Sequence, residues 1–329
     1  MSERVLHGVT FSSDAGDDAH EGVSFASTDG TSTCVGDLWL PAGDPRGVVE
    51  VCHGMVEHLG CYGGLVRDLT AAGYAVVGTD VIGHGRSCPD HDLRGVYDHV
   101  HGADHMIEDL HVLRLGVADR LPGVPIVLLG HSMGSFVVRC YAGRHGEGLA
   151  GLVVLGTAWQ DSATLAAGAL LTDVIALFHG WGYRSRMVDG LGCGGYNKRF
   201  EGSGAKTGYE WLSRDESRPL AYAADPDCGW MFSISGYRCL FRLLSEAQDP
   251  ARIAGVPHDL PVIILSGADD PVGARGDGPV RAFKALKAAG VEDVTLDLFD
   301  GARHELLGET CVDEVMEELL GWMSDVVSR

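Results

Sequence analysis

The chain has 329 residues, 45% of them apolar, enough to close a sizeable core in one large domain or two small ones. A formal net charge of −21 opposes binding to nucleic acid, since phosphate neutralisation needs Lys and Arg, and opposes tight docking on anionic lipid. Entry of an uncharged small molecule into a pocket is unaffected by this charge, so a small-molecule partner and no nucleic acid is expected.

In chain order, residues 1–22 are polar and Asp-rich, with no apolar run that could act as a signal peptide. They read as a frayed lead-in to a cytoplasmic protein, with order starting near Val23. Short strands rich in branched residues then recur at 48–52, 75–79, 126–129, 152–155, 262–265 and 294–299. Several are unbroken apolar runs, the mark of strands covered on both faces. Between them lie helical patterns such as Met106, Leu110, Leu113, Val117 and Leu121, which stops before Pro122. This alternation predicts an α/β fold with a doubly wound, mostly parallel sheet, its core formed by 23–158 and 259–329.

The alternation fails over 159–258, which carries helix-like pieces but no convincing strand, so this stretch is predicted to be a helical insertion capping the sheet. Its most apolar part, 163–178, is interrupted by Thr172 and Asp173 and is shorter than the ~20 residues of a spanning helix. No stable membrane anchor is expected. The nine cysteines (34, 52, 61, 88, 140, 193, 228, 239 and 311) form no C-x-x-C pair. They read as small buried thiols in preference to a disulfide framework or a zinc site, and no metal or cofactor is expected. The oligomeric state has no signature in the sequence.

The chemistry begins at residues 126–136, an apolar strand running through Gly130-His131-Ser132-Met133-Gly134 into a helical pattern. Small residues two positions either side of Ser132 permit the sharp turn that lifts a nucleophilic hydroxyl above a sheet edge. Such a hydroxyl needs a base, and His304 follows the last strand in Gly301-Ala302-Arg303-His304-Glu305. His131, adjacent to Ser132, reads as a packing residue. The orienting acid belongs after the penultimate strand, where Asp269 and Asp270 stand side by side, with Asp161 a more distant candidate. Backbone donors for a tetrahedral oxyanion are expected from Met133 and from Met55, after Gly54 in the loop that follows the 48–52 strand.

Taken together, His53-Gly54-Met55-Val56-Glu57-His58, the Asp80–Ser87 loop, Gly130–Gly134, Asp270-Pro271-Val272-Gly273 and Arg303-His304-Glu305 resemble the monoacylglycerol lipase and lysophospholipase-like branch of the α/β-hydrolases, also called serine aminopeptidase-type hydrolases. The likeness runs from about Val23 to the C-terminus in family order. It implies Asp270 as the acid, counted from Gly267 in G-x-x-D, Met55 and Met133 as oxyanion donors, and His84 as a structural turn residue. Two positions depart from the mammalian monoacylglycerol lipases: Cys61 stands where they carry an Arg, and Leu307 where they carry a second His, whereas Glu57 is kept.

The expected activity is hydrolysis of a carboxylic ester with a lipid-like acyl chain (a monoacylglycerol, lysophospholipid or medium-chain ester) through a Ser132–His304–Asp270 triad and an acyl-enzyme. Glu57, Cys61 and Leu307 are the expected contacts on the alcohol side, and Leu171 and Ile175 of the apolar segment on the acyl side. An aminopeptidase of the proline-iminopeptidase kind would instead hold a substrate amine with insertion carboxylates, for which Glu201, Glu210, Asp215 and Glu216 are available. A non-hydrolytic binding protein on the same fold is the reading from outside the enzymes. Epoxide hydrolase and dehalogenase chemistry uses an Asp at the turn and is opposed by Ser132.

Overall fold

The computed structural model describes residues 2–13, 19–192, 194–200 and 206–329. Ten strands form one sheet: β1 (Ser2–Leu6), β2 (Val9–Ser13), β3 (His20–Ala26), β4 (Thr33–Trp39), β5 (Val48–Cys52), β6 (Ala75–Thr79), β7 (Ile126–His131), β8 (Gly151–Leu155), β9 (Val262–Gly267) and β10 (Val294–Phe299). Their order is β1-β2-β3-β4-β6-β5-β7-β8-β9-β10. The pairs from β1 to β4 and the β4–β6 pair are antiparallel, and β6 through β10 run parallel. Every residue of β5, β7, β8 and β9 is buried, which is why these strands read as unbroken apolar runs.

The period of two in a strand divides these runs between two cores. Val127, Leu129, Val153, Leu155, Ile263 and Leu265 point to one face, where α1 (Gly63–Ala71) and α10 (Val312–Val326) supply Leu65, Leu69, Leu319 and Met323. Leu128, Leu152, Val154, Val262 and Ile264 point to the other, against α2 (Gly102–Arg120), α3 (Met133–His145) and α9 (Asp277–Ala288).

The first residues depart from the expected frayed lead-in, because β1 and β2 extend the sheet by an antiparallel hairpin. Val9 and Phe11 are buried, and Gly116 of α2 gives Val9 room, since a Cβ there would come within 2.6 Å of it. Two apolar residues per five-residue strand, beside an Asp-rich run, are too short a pattern to stand out in sequence. Order starts before Val23.

Between β8 and β9 lie α4 (Ser162–His179), α5 (Arg186–Gly192), α6 (Ser217–Ala224), α7 (Ile234–Ala247) and α8 (Pro250–Ile253), with no strand among the described residues. The insertion is not detached from the core: Ile234, Tyr237, Leu243 and Leu244 of α7 are buried in the same cluster as α2 and α3. α4 packs on α7, and Gly168 meets the ring of Phe241 at close range. The outer face of α4 stays uncovered, with Leu170 63%, Leu177 83% and Phe178 80% exposed. Its 18 residues have a mean hydropathy of 1.5.

One residue of β5 breaks the apolar pattern. Glu50 is fully buried and neither carboxylate oxygen has a hydrogen-bond partner. Burial pushes its carboxyl well above the usual range, and the positive charge of Arg114 offsets only part of this. A carboxyl raised on folding binds more protons in the native than in the unfolded state, so its cost to stability is absent below the unfolded pKa of about 4.3 and grows as pH rises above it. Glu50→Met should therefore stabilise the protein by about 1–3 kcal/mol at pH 8 and by less at pH 5 in urea melts. A variant less stable than the parent at pH 8 would show that the carboxyl has a compensating partner.

Candidate active site

The β7–α3 junction carries the nucleophile candidate. Ser132 has φ +52° and ψ −119°, a region that residues other than Gly rarely adopt. The flanking glycines make the turn possible: a Cβ on Gly130 would lie 2.3 Å from the Gly134 carbonyl oxygen, and one on Gly134 would lie 2.1 Å from that of Cys52. The Ser132 N–H donates to the Leu155 carbonyl at 3.0 Å, tying the turn to β8. Met133 is the first residue of α3, so its N–H is among those with no partner inside the helix.

His304 follows β10, and its Nδ1 lies 3.0 Å from Asp270 Oδ2, with both residues buried. Asp270 Oδ1 accepts from the Val272 N–H at 2.8 Å, which fixes the carboxylate. The neighbouring Asp269 turns outward and pairs with Arg199 at 3.2 Å. Asp161 accepts from the Thr164 N–H at 2.9 Å as the N-cap of α4, a local role that accounts for an Asp just after β8. Of the three candidate acids, the fold brings only Asp270 to His304.

The loop after β5 is held from several sides. A Cβ on Gly54 would lie 2.7 Å from Glu57 Oε1 and 3.0 Å from Ser132 Cβ, so glycine is what allows this loop to approach the nucleophile turn. Val56, a β-branched residue at φ +52°, donates its N–H to His84 Nε2 at 3.1 Å and accepts at its carbonyl from Gly229 N–H at 2.9 Å and Tyr222 Oη at 3.0 Å. His53 Nδ1 bonds the Gly54 carbonyl at 2.8 Å, and its Nε2 accepts from Val81 N–H at 2.8 Å. Burial lowers the pKa of both imidazoles, His84 to about 3, so they act as neutral clamps. Met55 lies between the clamped residues.

Beneath this loop sits a buried polar network that sequence reasoning did not foresee. Glu57 accepts from the Gly54 N–H and from Tyr62 Oη at 2.6 Å, and His131 Nδ1 lies 3.2 Å from the carboxylate and 3.1 Å from the Tyr62 oxygen. Burial disfavours the charged form of Glu57, but His131 and the Tyr62 hydroxyl outweigh it and hold the carboxyl well below its usual range. His131 is therefore more than packing, and its Nε2 also lies 3.4 Å from the His304 carbonyl. Glu305 is pushed up by burial, partly offset by Arg218 of α6 at 3.1 Å. Arg218 reaches this place only through tertiary structure, and Tyr62 by the short turn that follows Glu57; neither carries a motif of its own.

Ser132, His304, Met55, Met133 and Glu57 share the lining of a cavity of about 700 Å³, with Phe136, Leu165, Leu240, Phe241 and Leu244 among its apolar walls. From α4 the lining residues are Thr164 and Leu165. Leu171 and Ile175 are not among them; they pack partly buried against the core, because helical spacing identifies an apolar face without telling which part of it meets a cavity. Cys61 and Leu307 line a separate hollow of about 20 Å³ with Glu57, Tyr62, His131, Arg218 and Glu305. Glu210 is occupied by Asn197 at 2.6 Å and by Thr207. Asp215 and Glu216 are exposed at the start of α6, and Glu201 lies outside the described residues.

Several known proteins are similar to this chain. A monoacylglycerol lipase of Mycolicibacterium smegmatis is 28% identical over 301 residues, covering 91% of this chain and 95% of its own. The monoglyceride lipase of Homo sapiens is 26% identical over 300 residues, covering 87% and 85%. Among solved structures, a highly thermostable carboxyl esterase from Bacillus coagulans in complex with glycerol superposes with a TM-score of 0.86 at 28% identity, covering 94% of this chain and 99% of that one. The fold is also that of a soluble variant of the Saccharomyces cerevisiae monoglyceride lipase, at a TM-score of 0.71 and 21% identity over 90% of this chain and 92% of that one. Residues 43–311 match the family described as Hydrolase_4: Serine aminopeptidase, S33. With that match spanning most of its length, on a sheet of the α/β-hydrolase type, the chain belongs to this family of serine hydrolases.

Proposed function

We propose that the protein hydrolyses carboxylic esters of lipid-like acids, monoacylglycerols and medium-chain esters among them, through an acyl-enzyme on Ser132. The observation that carries this reading is the convergence of the strained Ser132 and the His304–Asp270 pair on one cavity with apolar walls. Its volume of about 700 Å³ lies within the usual range of about 300–1,000 Å³ for small-molecule sites.

In this mechanism Ser132 Oγ attacks the ester carbonyl while His304 Nε2 takes the hydroxyl proton. Asp270, at Nδ1, holds the ring in the tautomer that leaves Nε2 free to accept and stabilises the imidazolium once it forms. The Met55 and Met133 N–H groups donate to the tetrahedral oxyanion, a charge present only near the transition state. His304 then passes its proton to the departing alcohol, and an acyl-enzyme is left. Water, deprotonated by the same ring, releases the acid and restores Ser132. The clamps on the Gly54–Glu57 loop keep the Met55 donor in place between turnovers.

The aminopeptidase alternative needs an anionic group in the cavity to meet a substrate amine. Glu210, Asp215 and Glu216 do not line it, and the carboxyls that do are already engaged: Asp189 accepts from Tyr237 Oη at 2.8 Å, Glu305 pairs with Arg218 at 3.1 Å, and Glu57 accepts from Tyr62 Oη at 2.6 Å and from the Gly54 N–H, with His131 beside it. The ester reading is therefore favoured. On the alcohol side Glu57 faces the cavity, whereas Cys61 and Leu307 face a hollow with room for about one water.

A fluorophosphonate probe should label the protein once, and Ser132→Ala should abolish labelling; persistent labelling would move the nucleophile elsewhere. His304→Ala should lower kcat for a p-nitrophenyl ester on the order of 10⁴ or more, and Asp270→Asn by a similar factor. Asp269→Asn, which loses only a surface pair, should change kcat less than about threefold. An Asp269 variant more impaired than the Asp270 one would transfer the acid role to Asp269.

Chain-length selectivity tests the acyl wall. Leu165→Asp should reduce kcat/KM for decanoate esters at least about tenfold more than for acetate esters, since an apolar pocket discriminates by ~1–3 kcal/mol per methylene. Leu171→Asp should reduce both alike, through packing. Equal losses in the Leu165 variant would place the acyl chain elsewhere in the cavity.

A further inference from the structure

One cluster of potential ligand atoms lies outside the hydrolytic machinery, where the insertion meets the loop after β5. His58 caps a short 3₁₀ turn, Leu59–Tyr62, and the Cys61 N–H donates to the His58 carbonyl at 3.0 Å. Residues three apart on such a turn project to the same side. From the insertion, between α6 and α7, Cys228 arrives on a tight turn whose N–H donates to the Asp225 carbonyl at 3.1 Å. The ligand atoms of His58, Cys61 and Cys228 all lie within 4.8 Å of one another. Asp225 Oδ2 stands 3.0 Å from His58 Nε2.

The distance between the sulfurs is informative. Cys61 Sγ and Cys228 Sγ are 3.6 Å apart, far beyond the ~2.05 Å of a disulfide. Two thiolates on one tetrahedral zinc, each at about 2.3 Å, stand roughly 3.8 Å apart. The two sulfurs are thus already at a separation that a shared tetrahedral cation requires, and His58 Nδ1 completes a Cys₂His set by exchanging the Gly60 N–H that it accepts at 3.2 Å for the cation. A carboxylate on that imidazole is the usual outer partner of a ligating histidine. Asp227 is not available, because it pairs with Arg94 at 2.7 Å.

We propose that His58, Cys61 and Cys228 form a binding site for a soft divalent cation of the Zn²⁺ class, with Asp225 orienting His58 and water in the fourth position. Binding requires both thiols as thiolates, so their two protons go to solvent as two metal–sulfur bonds form, with no change of oxidation state. The cation would bridge two segments far apart in sequence: the turn that follows Glu57, and the insertion turn whose Gly229 N–H holds the Val56 carbonyl. It would act as a staple between the insertion and the oxyanion loop and take no part in the ester chemistry. The inference does not rest on the proposed function, because it is read out by binding alone.

The experiment is titration of the reduced, metal-free full-length protein with Zn²⁺ against a chromophoric chelator, and with Co²⁺ as the spectroscopic probe. One equivalent of Zn²⁺ should bind with micromolar or tighter affinity, and Co²⁺ should give the near-ultraviolet sulfur-to-metal band and intense visible bands of a tetrahedral thiolate site. Cys228→Ser and Cys61→Ser should each weaken Zn²⁺ binding at least about a hundredfold and remove the sulfur band, while Cys88→Ser, a thiol elsewhere on the surface, should change neither. Zn²⁺ should raise the Tm of the parent and not of Cys228→Ser. Serine is close in size to cysteine, and the far-ultraviolet circular dichroism of each variant shows whether it has folded; should one fail to fold, the other decides. Cobalt bound without a sulfur band, Zn²⁺ affinity unchanged in both serine variants, or no binding at tens of micromolar would overturn the proposal.

Discussion

At Ser132 the backbone must pass through φ +52° without the side chains that would ordinarily fill such a corner, and this geometrical demand governs its surroundings. A non-glycine residue held in that region costs on the order of 1–3 kcal/mol, a strain that persists only where neighbours over-determine it. Here the neighbours are backbone: Gly134 rests against the Cys52 carbonyl, Gly130 against Gly134, and the Ser132 N–H bonds the Leu155 carbonyl. The carboxyl ends of β5, β7 and β8 are thereby locked at one point. The loop after β5 and the start of α3 then have little freedom to separate, so the two candidate oxyanion amides inherit their spacing from strand packing.

How much of this could be read in advance follows from how local each signal is. β5, β7, β8 and β9 were legible because burial on both faces writes an unbroken apolar run, and the glycines around Ser132 because close backbone approach excludes every other residue. Asp270 against Asp269 was ambiguous by spacing, since adjacent strand-end residues differ in direction and not in position. β1 and β2 were not legible, as Val9 and Phe11 bury only when a hairpin brings them onto α2. The apolar segment that points to an acyl wall holds Leu165, Leu171 and Ile175 alike, and of these only Leu165 lines the cavity, because one apolar helix face can serve a core along one part of its length and a cavity along another. Arg218 enters the site across a sequence separation that no motif spans, whereas Tyr62, only five residues after Glu57, was in reach but carries no motif of its own.

The buried network around Glu57 gives the site a polar wall in an otherwise apolar region. Its charges are internally compensated: Glu57 is ionised against His131 and hydrogen-bonded by Tyr62 and the Gly54 amide. Removing a single member would leave a buried charge without its partner, which is costlier than never having built the pair. The network also links Gly54, Glu57, His131 and the His304 carbonyl, so the loop that carries Met55 and the loop that carries His304 share one set of hydrogen bonds. The two loops are therefore positioned relative to each other as well as to the sheet.

The uncovered face of α4 meets the world with Leu170, Leu177 and Phe178 on a molecule whose formal net charge is −21. These two properties act over different ranges. Charge repulsion from an anionic film is felt out to a Debye length, about 8 Å at physiological salt and about 3 Å at 1 M, whereas desolvation of the apolar ridge operates only on contact and is strengthened by excluded salts such as sulfate. Adsorption through this face is then a barrier-limited event whose barrier shrinks as counter-ions are added. Added salt should therefore favour contact of this face with an anionic film, the opposite of what it does for a basic protein at the same film.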